Sequence, residues 1–141
     1  MPLLSLPSHE YERMPPVRLL GHVQPEALAA EYEEADALVL PSIHDPWGLV
    51  VNEAMAAGLP VVVSSAAGAA DDLVTDGWNG FVVPPFDAAA LTRALETLAA
   101  DPGLRLEMGR HSAERIGEGF EPQHWAAGMA EAVLAVAERN L

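Results

Sequence analysis

Two acids and a glycine between positions 45 and 53 have the residue types and spacing to do chemistry. The stretch reads Asp45-Pro46-Trp47-Gly48-Leu49-Val50-Val51-Asn52-Glu53. Leu49 to Ala57 reads as a helix, with the segment before it a loop. A helix N-terminus offers free backbone N–H groups and a partial positive charge, which suits an anion such as a diphosphate. Gly48 at the junction lets a ligand approach the backbone closely. Asp45 on the loop and Glu53 one turn into the helix would then accept hydrogen bonds from hydroxyls on either side of the phosphates. A molecule built as sugar, diphosphate, ribose has that layout.

Each of these residues also has a purely structural reading. Asp45 suits an N-cap with Pro46 at N1, and a capping carboxylate would fill the anion site itself. Glu53 is favoured near a helix N-terminus by the macrodipole alone, by about 0.3–1 kcal/mol. Gly48 and Gly68 suit turns, and Trp47 suits a loop anchor. His22 and His44 titrate near neutrality but stand in no catalytic pattern, and His9, His111 and His124 share no spacing for metal ligation. Asp71-Asp72 suits a helix start, and Glu31, Glu33 and Glu34 a solvated helix face. Neither a P-loop, a Gly-x-Gly-x-x-Gly fingerprint nor a Ser–His–Asp order is present, which leaves nucleotide triphosphate hydrolysis and hydride transfer without support.

The elements that must position these residues alternate between strand and helix. Residues 1–16 are rich in proline and read as a linker or the remnant of a cut domain. Strand candidates are Val17-Arg18-Leu19-Leu20, Ala37-Leu38-Val39-Leu40, Pro60-Val61-Val62-Val63-Ser64 and Gly80-Phe81-Val82-Val83. The second is a continuous apolar run, expected for a strand buried on both faces. Helix candidates are Pro25 to Ala35, Leu49 to Ala57 with Gly58 after its end, a short one over Asp71 to Val74, Ala88 to Ala99 capped by Asp87, Leu104 to about Arg115, and Gln123 to Arg139. Ala66 to Ala70 reads as a loop of small residues. The alternation predicts an α/β, Rossmann-like domain with a mostly parallel sheet of about four strands and helices on both faces. Ligands bind such sheets at the carboxyl ends of the strands. That edge gathers the loops Gly21 to Gln24, Pro41 to Gly48, Ser64 to Ala70 and Pro84 to Phe86.

Composition narrows the partners. The chain has 141 residues, half of them hydrophobic, enough for one domain with a core. The net charge of −14 argues against nucleic acid or anionic lipid as a partner. All seven basic residues are arginine and cysteine is absent, so disulfides and thiolate metal sites are excluded. Met1 to Pro7 lacks the basic start and apolar length of a signal peptide, and no apolar run approaches about 18 residues, so no transmembrane segment is expected. These features point to the cytoplasm.

The run from Val17 to Val83 resembles the C-terminal, donor-binding domain of family 4 retaining glycosyltransferases, which have the two-domain GT-B fold. The resemblance is carried by Pro41-Ser42, Asp45-Pro46-Trp47-Gly48-Leu49-Val50, Glu53-Ala54-Met55-Ala56-Ala57-Gly58-Leu59-Pro60-Val61-Val62 and Asp76-Gly77-Trp78-Asn79-Gly80-Phe81-Val82-Val83-Pro84, in that order. It implies a partial donor domain over residues 17–141 of an enzyme that transfers a sugar from a nucleoside diphosphate sugar, of UDP or GDP type, to an acceptor hydroxyl with retention. Asp45 would be the acid beside the donor sugar and Glu53 the acid on the ribose. The amides of Gly48 and Leu49 would face the distal phosphate. The loop Gly21-His22-Val23 would touch the base, and Gly68 would lie beside the sugar. No cofactor and no metal are implied.

The chain departs from the family pattern in four respects. Asp45 and Asp72 stand where glutamate is usual, and Ala69 stands where a second glycine is usual, narrowing the space beside the donor. The arginine and lysine that neutralise the diphosphate belong to an upstream strand and loop, and the N-terminal acceptor domain is missing. The isolated chain is therefore expected to be inactive or nearly so. The alternative is a non-catalytic module from the same domain, binding a partner or forming a homo-oligomer through an exposed sheet edge.

Overall fold

The computed structural model describes residues 18–118. Three strands run parallel in the order β1 (Leu38–Leu40), β2 (Val61–Ser64) and β3 (Gly80–Val83). Val39 lies opposite Val62, and Val62 opposite Phe81. Helix α1 (Pro25–Glu34) leads into β1. Helix α2 (Leu49–Ala56) joins β1 to β2, and α3 (Gly68–Leu73) joins β2 to β3. Helices α4 (Ala88–Ala100) and α5 (Pro102–Gly117) follow. The expected α/β class with a parallel sheet is present. Of the strand expected over Val17 to Leu20, Val17 lies outside the described residues and residues 18–20 form no strand: Leu19 and Leu20 are exposed and outside the sheet, so the described residues hold three strands.

Alternating side chains of the sheet build two cores. Val61 and Val63 pack with Val51, Ala54 and Met55 of α2 and Ala69, Ala70 and Leu73 of α3. Val62 and Val83 pack on the other face with Ala94 and Leu98 of α4 and Met108 of α5. Helices thus cover both faces. Central strand β2 is completely buried, but β1 is not buried on both faces as its apolar run suggested. Val39 is 36% exposed, because β1 is an edge strand and α4 does not reach across it.

Local chemistry sets the helix ends. The carboxylates of Asp87 and Asp101 accept from Ala90 N–H at 2.8 Å and from Leu104 N–H at 3.0 Å, caps contributing about 1 kcal/mol each. The cap on Asp101 starts α5 at Pro102, two residues earlier than the sequence suggested. At the end of α2, Gly58 N–H reaches Met55 O and Leu59 N–H reaches Ala54 O, both at 3.0 Å, which closes the helix and turns the chain into β2. Helix α3 begins at Gly68, so Gly68 to Ala70 of the expected loop form its first turn, while Ala66 and Ala67 stay outside it. The linker at 1–16 and the helix expected over Gln123 to Arg139 lie outside the described residues.

Candidate functional site

The loop after β1 is laced to the loop after β2. Asp45 N–H donates to Ala66 O at 3.1 Å, Asp45 O accepts from Gly68 N–H at 3.1 Å, and Trp47 O accepts from Ala69 N–H at 2.8 Å. These bonds extend the parallel pairing past the carboxyl ends of the strands and bring Asp45, Gly48 and Gly68 together. A Cβ on Gly68 would lie 2.4 Å from Pro46 O, so only glycine lets the two loops meet there. Ala69 turns into the core and is fully buried. Its methyl therefore does not narrow the space in front of the loops, contrary to the expectation from the family pattern.

Helix α2 starts without a side-chain cap. Its N-cap is Gly48, at φ 92°, a conformation that disfavours any residue with a Cβ. A Cβ there would also meet Leu40 Cδ2 at 2.9 Å. Asp45 is not the cap and Pro46 is not N1. The Asp45 carboxylate instead accepts from Trp47 N–H at 3.1 Å, as an Asx turn inside the loop. The N–H groups of Leu49 and Val50 find no acceptor among the described residues, and both residues are exposed. Trp47 is half-buried, and its indole N–H donates to Asn52 Oδ1 at 2.8 Å. It anchors the loop to α2.

Glu53 is exposed on α2 and accepts a hydrogen bond from the Tyr32 hydroxyl of α1 at 2.8 Å. Burial, then the hydrogen bond to Glu53 and its charge, push the Tyr32 phenol up to about 12. The sequence reading missed Tyr32. The signal was its position four residues after Leu28, on the face of α1 turned toward the core. Gly21 and His22 precede α1, are exposed, and make no hydrogen bond among the described residues. Nearby, Arg18 pairs with Glu31. Arg105 pairs with Asp36, Arg110 with Glu114, and Arg115 donates to Asp72 O, so each of these arginines has a partner outside the start of α2. A cleft of about 230 Å³ opens at the carboxyl ends of the strands, lined by Pro41, Ile43, Ser64, Val83, Pro84 and Phe86. Neither Asp45 nor Glu53 lines it. Among the described residues no three His, Asp or Glu side chains converge as metal ligands, and no helix is long and apolar enough to cross a membrane.

The order of these features along the chain matches a known family model, "Glycosyl transferases group 1", over residues 4–115. The chain belongs to this family. It is 36% identical over 118 residues to a glycogen synthase of Mycobacterium tuberculosis, covering 84% of this chain and 28% of that protein. It is 39% identical over 124 residues to a D-inositol 3-phosphate glycosyltransferase of Streptomyces avermitilis, covering 88% of this chain and 26% of that protein. Among solved structures, sucrose-phosphate synthase from Thermosynechococcus elongatus superposes with a TM-score of 0.81 at 33% identity, over 93% of this chain and 33% of that one. Anabaena HepE in complex with UDP superposes with a TM-score of 0.69 at 26% identity, over 74% of this chain and 29% of that one. The chain thus spans about a quarter to a third of the length of these family members.

Proposed function

We propose that this chain is part of the donor-binding domain of a glycosyltransferase that moves a sugar from a nucleoside diphosphate sugar to an acceptor hydroxyl with retention. The observation that carries the reading is the uncapped start of α2. Its outward N–H groups stand between Asp45 and Glu53, and neither acid occupies the tip. The diphosphate sits on these donors, Glu53 takes the ribose hydroxyls, and Asp45 uses its second carboxylate oxygen on the donor sugar. Gly21 and His22 face the base, and Gly68 brings the second loop beside the sugar. Catalysis then rests on positioning and on stabilising the departing diphosphate. The cations that complete the diphosphate site, and the acceptor domain, come from parts of the enzyme outside this chain. UDP bound to the Anabaena relative supports a nucleoside diphosphate as the ligand class, with UDP or GDP the favoured carriers.

Calorimetric titration with UDP, GDP and ADP tests this reading. One of them binds saturably, and Glu53→Gln weakens that binding about tenfold, the loss of a hydrogen bond to a charged acceptor. Absence of binding at millimolar ligand, or equal binding by Glu53→Gln, overturns it.

A second reading, a partner-binding or self-associating module, draws on the open side of β1. A groove of about 610 Å³ there is lined by Ala35, Ala37, Val39, Leu95 and Leu98. Sedimentation separates the two readings: concentration-dependent association without nucleotide binding favours the module.

A further inference from the structure

We propose that Tyr32 is a positioning residue for Glu53, holding that carboxylate in the orientation that grips the ribose. The inference rests on the donor-site reading above and adds a residue to it. A glutamate on an exposed helix face samples several rotamers, and fixing it costs side-chain entropy. Tyr32 settles that cost before a ligand arrives. Its ring is half-buried against the core cluster that holds α2, so the hydroxyl is delivered from a rigid base. It donates to Glu53 Oε2 at 2.8 Å and leaves Oε1 free to accept from a ribose. The phenol keeps its proton through the whole physiological range, as an ordinary tyrosine does, and its pKa is raised further, to about 12. The hydroxyl therefore donates to one carboxylate oxygen and leaves the other open. This arrangement ties α1, which starts directly after the Gly21-His22 loop, to the helix whose start receives the diphosphate.

The test compares the nucleoside diphosphate that binds best with its 2′,3′-dideoxy counterpart, against wild type, Tyr32→Phe, Glu53→Gln and the double variant, by calorimetry. Tyr32→Phe retains the ring that packs on the core, and a thermal melt of each variant checks the fold. Tyr32→Phe is expected to weaken the ribose-bearing ligand about three- to tenfold, leave the dideoxy ligand unchanged, and add nothing in the Glu53→Gln background. Three results overturn the inference. If Glu53→Gln weakens binding and Tyr32→Phe does not, Tyr32 has no positioning role while the donor site stands. If Tyr32→Phe weakens both ligands equally, its effect is structural and does not run through the ribose. If wild type binds no nucleoside diphosphate, the donor-site reading falls, and the role of Tyr32 falls with it.

Discussion

Two loops that enter secondary structure through glycine end up with opposite polar accounting. The turn between α3 and β3, Thr75 to Gly80, lies at the amino ends of the strands and is closed. Asn79 is completely buried. Its Oδ1 accepts from Thr75 N–H at 2.8 Å, its Nδ2 donates to Leu73 O at 3.0 Å, and its carbonyl accepts from the Ser112 hydroxyl at 3.1 Å. His111 stacks on Trp78 with centroids 4.3 Å apart and hydrogen-bonds Trp78 O at 2.9 Å. The loop between β1 and α2 lies at the carboxyl ends and is open. It leaves amides at the α2 tip without acceptors, and each acid there keeps one carboxylate oxygen with no partner among the described residues. A buried group without a partner is costly, so the closed turn reads as structure. Exposed, oriented groups cost little to leave open, so unmatched polarity at the surface is where a ligand can add bonds.

The sharpest way to break this comparison is to disturb the sealed end and watch the open one. Gly109 of α5 crosses the end of α2 so closely that a Cβ would fall 2.0 Å from Gly58 O. Gly109→Ala must push the two helices apart and should cost about 3 kcal/mol, read as a lower urea midpoint at unchanged slope. Asn79→Ala removes both side-chain bonds and should cost about 2 kcal/mol in the same assay. Asn79 has no hydrogen bond to the α2 tip, so nucleotide affinity of the folded fraction should stay within about twofold for Asn79→Ala. A tenfold loss of affinity in Asn79→Ala would show that the two ends are not independent.

How much of this was legible in the sequence follows the same divide. Short-range signals translated directly. Asp87 announced α4, Gly58-Leu59-Pro60 announced the end of α2, and Val61 to Val63 announced a buried strand, because caps, turns and branched side chains act within a few residues. The family motif located the loop and helix that carry Asp45, Gly48 and Glu53. What stayed hidden depended on distant partners. Val39 reads as a core residue until β1 is seen at the edge of the sheet. Ala69 reads as an obstacle to a ligand until α3 is seen to start at Gly68, three residues before Asp71, and to turn the Ala69 methyl inward. Asp45 satisfies every local rule for a cap. It loses that role because its backbone is bound to Ala66 and Gly68, which moves the helix start to Gly48. Tyr32 stands far from Glu53 in sequence, and no local rule joins them.

The two acids of the open end provide a smaller test. Asp45→Asn keeps the acceptor for Trp47 N–H, so stability should change by no more than about 0.5 kcal/mol. If Asp45 serves the sugar and Glu53 the ribose, Asp45→Asn should leave affinity for the bare diphosphate unchanged. It should also weaken the corresponding nucleotide sugar about three- to fivefold. Parallel titrations of the two ligands check this. Equal losses for both would merge the two acids into one electrostatic role.

The effect with the narrowest range is a pH dependence confined to alkaline solution. The Tyr32 phenol titrates near 10.0 in an unfolded chain and about 12 in the folded one. Between these values the unfolded state holds fewer protons than the folded state, so stability must fall as pH rises. The contribution is fully present below about pH 10 and gone above about pH 12. Tyr32→Phe removes the titrating group, so its stability should decline less steeply than that of wild type across this window, with the two curves parallel below it. Glu53→Gln takes away the charge and part of the hydrogen bond that raise the phenol but leaves its burial, which is the larger cause. Its curve should therefore lie between the other two. Urea melts of the three proteins at intervals from pH 9 to 12 measure the ordering. If Glu53→Gln coincides with wild type, the hydrogen bond between α1 and α2 does not form in solution, and only the packing of the Tyr32 ring on the core cluster still joins the two helices there.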